Sequence, residues 1–203
     1  MSKKLSDVTQ EEINEFKKDI EEISTSTKLT MPEKSERIKI RTKEMLRDFS
    51  YLDLFNSLKD SKVKGNSKQL YGIIYEQALE ELLEEKKKTL TIDEIDKILV
   101  HFADETNKTR NFINDTSDSL LTEEEIIKKS KKLTEDDLNY KRLAVAAQEG
   151  NLTEDQRTVF ENEGKKVDII AKQSNLAVLE KYEDEISKEL TDRKKQDSKR
   201  NKI

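Results

Sequence analysis

His101 is the single histidine of the chain, and Asp104 and Glu105 follow it three and four positions on, the spacing at which side chains share one face of a helix. A metal pair is imaginable there. With no cysteine and no second histidine, however, a zinc or iron centre would need carboxylates alone to complete its ligands. His101 is therefore read as a surface or half-buried side chain, and no neighbour recommends it for acid–base work. Glu80, Glu81, Glu84 and Glu85 form an acidic cluster, but a carboxylate metal box in a helical bundle also calls for Glu-x-x-His pairs, which are missing. Beside Lys86, Lys87 and Lys88 the cluster reads as a solvated face. Serine and threonine hydroxyls abound without a base placed to activate one. The four glycines, Gly65, Gly72, Gly150 and Gly164, follow no strand and build no phosphate loop. The lack of cysteine removes disulfides, zinc–thiolate sites, iron–sulfur clusters and thiol nucleophiles together. These residues predict no catalytic site, no metal and no cofactor.

The stretch Asn114 to Glu125 places Asn114, Thr116, Asp118, Thr122 and Glu125 at the first, third, fifth, ninth and twelfth positions of an EF-hand loop. Ser119 stands where that loop needs its glycine, and a threonine replaces the acid at the third position, so calcium is not expected. The phrases VTQEEINEFKKDI and LTEEEI resemble the opening helix of calmodulin-type proteins. That resemblance covers a capping box and one amphipathic turn pattern, and what it implies is a helix start and not a calcium site.

Concentrated positive charge occurs in one place. Between Thr191 and Ile203 lie Arg193, Lys194, Lys195, Lys199, Arg200 and Lys202 against Asp192 and Asp197, with no apolar residue before Ile203. A frayed or disordered tail is expected. Its six bases are candidates for contact with nucleic acid or with an acidic partner surface, set against a plain solubilising role. No aromatic side chain is interleaved with them for stacking on single strands.

The elements that carry these residues are helical. Six times an aliphatic residue is followed by threonine and, three further on, by an acid or amide: Val8-Thr9 to Glu12, Leu29-Thr30 to Glu33, Leu90-Thr91 to Glu94, Leu121-Thr122 to Glu125, Leu133-Thr134 to Asp137 and Leu152-Thr153 to Gln156. Each predicts a capping box, in which the threonine hydroxyl accepts the N–H three residues on and the side chain there accepts the threonine N–H. Pro32 fits inside a first turn. Apolar residues then recur at helical spacing. Ile13, Phe16, Ile20 and Ile23 make one stripe, and Ile38, Met45, Phe49 and Leu52 a second that continues or kinks through Leu58. Ser67 is the expected cap of a third helix through Tyr71, Ile74, Leu79 and Leu83. A fourth, from Ile95 to Phe112 and Ile113, is expected to fray around Thr106 to Thr109 and to give way to a polar loop over Asn114 to Ser119. Shorter helices are expected over Glu123 to Lys131, over Glu135 to Glu149 closed by Gly150, and over Glu154 to Glu163 closed by Gly164. A last long helix begins at Val167, with Ser174 and Asn175 as candidate points of interruption. No segment alternates with period two, so no sheet is expected.

Composition sets the frame. In 203 residues only 33% are hydrophobic and 41% charged, with a net charge of −5, which predicts a thin core spread over slender helices rather than a compact α/β enzyme. No apolar run approaches the roughly 18 to 20 residues that cross a bilayer, and a cytoplasmic chain with no membrane contact is expected. Lysine far exceeds arginine, which points to an AT-rich genome such as that of a low-GC bacterium, its phages or its plasmids. The fold expected is all-α, an elongated bundle or array of about seven to nine amphipathic helices with coiled-coil character, divisible into two lobes. Residues 1–7 are expected to be disordered, 8–115 and 121–190 to form a larger and a smaller helical lobe, and 191–203 to be the basic tail. Elimination leaves a non-enzymatic protein-interaction module, an adaptor, scaffold or assembly chaperone, with a protein partner and possible homo-oligomers. The alternative is a nucleic-acid-associated regulator that uses the basic tail.

Overall fold

The computed structural model describes residues 7–65, 69–130 and 133–200. Among them are eight α-helices and no strand or sheet. The helices are α1 (Gln10–Thr25), α2 (Met31–Leu46), α3 (Tyr51–Lys64), α4 (Leu70–Lys87), α5 (Ile92–Asp118), α6 (Glu123–Lys129), α7 (Tyr140–Gln148) and α8 (Glu154–Arg200), with a short 3-10 helix, Glu135–Leu138, before α7.

All six threonine signals are capping boxes. Thr9, Thr30, Thr122 and Thr134 exchange reciprocal bonds with Glu12, Glu33, Glu125 and Asp137. Thr91 N–H donates to Glu94 Oε2 at 2.8 Å while Glu94 N–H donates to Thr91 Oγ1 at 3.2 Å, and Thr153 does the same with Gln156. Each box satisfies two donors that a helix start leaves orphaned.

Several boundaries differ from the expectation. The second stripe is cut in two: α2 ends at Leu46, and α3 begins after Ser50, whose hydroxyl accepts Asp53 N–H. The cap expected at Ser67 lies outside the described residues. No fraying interrupts α5, which runs unbroken to Asp118 and takes in most of the expected polar loop, because Thr106 and Thr109 are buried on the same face as Ile95, Ile98 and Phe102. The helix expected from Glu135 is divided at Asn139, whose side chain caps α7 instead. Gly150 does close α7 in the left-handed region, at φ 72°.

The largest correction concerns α8, a single helix of 47 residues. Gly164 does not end it, since Gly164 keeps a negative φ, and Ser174 does not break it, its hydroxyl donating to the Ile170 carbonyl within the continuous helix. Buried Val159, Asn162 and Ile169 share one face on either side of Gly164, and the helix continues unbroken past Ser174. Residues 191–200, expected as a disordered tail, are its last turns. The described tail is held by Arg193, which donates to the carbonyls of Leu90 and Lys87 and to Glu189.

The chain divides into two compact units, Met1–Ala103 with Val178–Ile203, and Asp104–Ala177. The division falls inside α5 and α8, both of which are continuous helices. The first unit is built on Phe49, Leu54, Phe55, Leu58, Leu79, Leu83, Ile95, Phe102 and Ile186. Phe55 lies 4.6 Å from Phe102 and 5.3 Å from Tyr182 between ring centroids. The core of the second is small: Ile126, Leu143 and Val159, with Leu121, Leu133, Leu152 and Phe160 packed around them. Asn162, buried at its edge, donates to the Leu121 carbonyl and accepts the Leu121 N–H at 2.8 Å.

Candidate functional site

The residues first considered for chemistry are dispersed or already engaged. His101 is half-buried against Phe102, while Asp104 and Glu105 turn to Lys108. Of the EF-hand positions, Asn114, Thr116 and Asp118 belong to helix α5, and the Glu125 carboxylate is committed to the Thr122 cap. The acidic cluster on α4 is neither a metal box nor a merely solvated face. Glu81 bridges Lys39 and Lys43 of α2, Glu85 meets Lys43, and Glu80 meets Lys62 of α3. Lys43 and Lys39 accordingly hold the Glu81 carboxyl below its ordinary value. Among the described residues, no group of three or more His, Asp or Glu is placed to hold a metal ion.

The basic residues of the tail separate into two groups. Arg193 is turned inward as a clamp on the end of α4, whereas Lys194, Lys195 and Lys199 are exposed along α8, interspersed with exposed Asp192 and Asp197. Arg200 closes the helix. Lys202 lies outside the described residues.

Two apolar features were not singled out from the sequence. The first lies in the unit of α1 to α4. Although α1 carries a regular apolar stripe, none of its residues is buried; Ile13, Phe16, Ile20 and Ile23 are only half covered. Between α1, α2 and α4 an open cavity of about 460 Å³ remains, lined by Phe16, Ile20, Ile38, Thr42, Gln69, Tyr71, Gly72 and Tyr75. The polar hydrogens of its wall are largely spent. Thr42 donates to the Ile38 carbonyl. Ser24 gives its proton to the Ile20 carbonyl, so the Tyr71 hydroxyl, 2.6 Å away, donates to Ser24. Burial raises the pKa of Tyr75, opposed by a hydrogen bond with Ser57. The only available signal in the sequence was a glycine set between Tyr71 and Tyr75 on an otherwise apolar helix start.

The second feature is an outward seam on α8. Val167 and Ile170 are 52% and 63% exposed, and with half-buried Glu163 and exposed Ser174 and Ala177 they follow one another at steps of four, three, four and three residues. This is coiled-coil spacing. It runs beside the inward face of the same helix, where Asn162 and Ile169 are buried. The run Val167, Ile169, Ile170 therefore serves two faces, which is why a single amphipathic stripe failed to reveal it.

The chain matches no protein-family model, no curated protein and no solved structure. Among the described residues no helix is long and apolar enough to cross a membrane.

Proposed function

We propose that this chain is a non-enzymatic helical interaction module, an adaptor, scaffold or assembly chaperone, that receives an amphipathic helix of a partner protein along α8. The observation that carries the reading is the exposed seam of Val167 and Ile170 in coiled-coil register. Apolar side chains left in water one turn apart gain about 25 cal/mol for each Å² a partner covers. Small Ser174 and Ala177 let a second helix approach closely, and exposed Lys166 and Asp168 flank the seam with both signs of charge, as charged residues flank a coiled-coil interface.

The competing reading, a nucleic-acid regulator, rests on Lys194, Lys195 and Lys199. Asp192 and Asp197 among them, and the internal commitment of Arg193, weaken a continuous phosphate-binding face. The test replaces Ile170 with photoreactive p-benzoylphenylalanine in the full chain and irradiates it in extract of the cells that make the protein. A protein adduct that survives nuclease and is outcompeted by unlabelled chain, but not by the Val167→Glu, Ile170→Glu double variant, is expected. An adduct that the double variant competes away equally well, or that nuclease abolishes, would overturn the reading. A self-adduct at this position would replace a foreign partner by a second copy.

A further inference from the structure

The cavity under α1 belongs to the other unit and does not depend on the α8 surface. We propose that it is a binding site for an uncharged, predominantly apolar small molecule carrying at most one hydrogen-bonding end. Its volume of about 460 Å³ falls within the range of small-molecule sites, roughly 300 to 1,000 Å³. Three rings, Phe16, Tyr71 and Tyr75, and two isoleucines, Ile20 and Ile38, supply the wall, and among the described residues no charged side chain lines it. A charged ligand entering here would lose water without meeting a counter-charge.

Polar recognition is restricted in the same way. The hydroxyl protons of Thr42, Tyr71 and Ser24 are already given to partners inside the unit, which leaves the exposed Gln69 carboxamide and the first-turn N–H groups of α4, which Gln69 does not cap, to meet one polar end. The geometry also explains an unfavourable residue choice. Gly72 sits in the first turn of α4, where alanine would favour the helix, yet it lines the cavity on the arc shared by Tyr71 and Tyr75. A side chain there would take up the space.

Two probes with the same aromatic body test the claim: neutral N-phenyl-1-naphthylamine and the anionic 8-anilinonaphthalene-1-sulfonate, each titrated into the full chain and followed by fluorescence. Saturable one-to-one binding of the neutral probe is expected, with the anionic one weaker by about tenfold or more because its charge is unpaired. Gly72→Leu should reduce neutral-probe affinity by about tenfold while the melting temperature holds or rises, since filling space stabilises an otherwise intact helix start. If Gly72→Leu does not fold, by circular dichroism, Ile20→Trp decides, because it fills the same space from α1, which contributes no buried residue. Absence of saturable binding, equal binding of both probes, or binding untouched in the folded filling variant would overturn the proposal.

Discussion

Arg193→Ala should destabilise the first unit by about 2 to 3 kcal/mol although the residue lies in a stretch with no apolar anchor. The guanidinium spreads three donors: Nη1 to the Leu90 carbonyl, Nη2 to the Lys87 carbonyl at 2.8 Å and Nε to Glu189 Oε1 at 2.7 Å. Lys87 is the last residue of α4, where helix carbonyls have no partner of their own and the dipole favours a cation, and Leu90 lies in the connection to α5. Hydrogen bonds from a charged donor contribute about 1.5 to 3 kcal/mol each when secluded. Arg193 retains 21% side-chain exposure, so water reclaims part of that on truncation and the total falls short of the sum. In a chain of this length about 1 kcal/mol corresponds to roughly 2 to 4 °C, which makes the expected drop about 4 to 12 °C. Urea unfolding followed by circular dichroism suits a chain without tryptophan. Lys194→Ala, one residue on and exposed, is the control and should stay within about 0.5 kcal/mol. Arg193→Lys should fall between them, keeping the charge but losing the fork. Equal midpoints for Arg193→Ala and Lys194→Ala would refute the clamp.

Three further outcomes follow from local geometry. Thr91→Ala should lower stability by about 0.5 to 2 kcal/mol through loss of its capping box, read as a shift of the urea midpoint. Gly164→Ala should stabilise by up to about 1 kcal/mol, because it sits inside α8 with nothing within 4 Å of an added Cβ; Gly150→Ala, at φ +72°, should destabilise by about 1 to 2 kcal/mol, and the same denaturation series reads the opposite signs. The backbone N–H groups of Thr30, Thr91 and Thr122 hold the carboxyls of Glu33, Glu94 and Glu125 below their ordinary 4.5. A carboxyl lowered on folding lends stability above its unfolded value and loses it as pH drops through the folded one. Melting temperature should therefore be insensitive to these groups near neutrality and decline below about pH 4.5, and Glu94→Gln, which keeps the box as Gln156 does at Thr153, should lessen that decline.

Helix starts were readable because a capping box is closed within four residues: Thr91 and Glu94 contain everything the bond requires. Helix ends were less so. Gly150 and Gly164 look alike in sequence, yet only the first takes a positive φ, since Asn151 donates to the Ala146 carbonyl across the turn at α7, whereas the buried positions of α8 continue on both sides of Gly164. The order of the tail was hidden for the same reason at longer range, as Arg193 finds its acceptors about a hundred residues earlier in the chain. Of the candidate surfaces, the lysines could be seen by composition. The cavity could not, because it exists only where the stripes of α1 and α2 meet α4.

Asn162 shows how far such distant pairing extends into the architecture. It is a polar residue at a position that the helical period assigns to the core, and its amide serves both backbone groups of Leu121, forty-one residues away. Lys165 reaches the Ser119 carbonyl and Lys172 lies over the Phe112 ring, so residue numbers on α5 and the segment just after it fall as those on α8 rise. The paired positions sum to nearly the same value, which is the mark of one antiparallel register. A two-helix pair this sparsely apolar is set by such directional contacts rather than by area. With its inward face fixed by Asn162 and Ile169, the helical period leaves Val167 and Ile170 pointing outward. The polar register that closes one face of α8 thereby exposes the other, on which the proposed interaction depends.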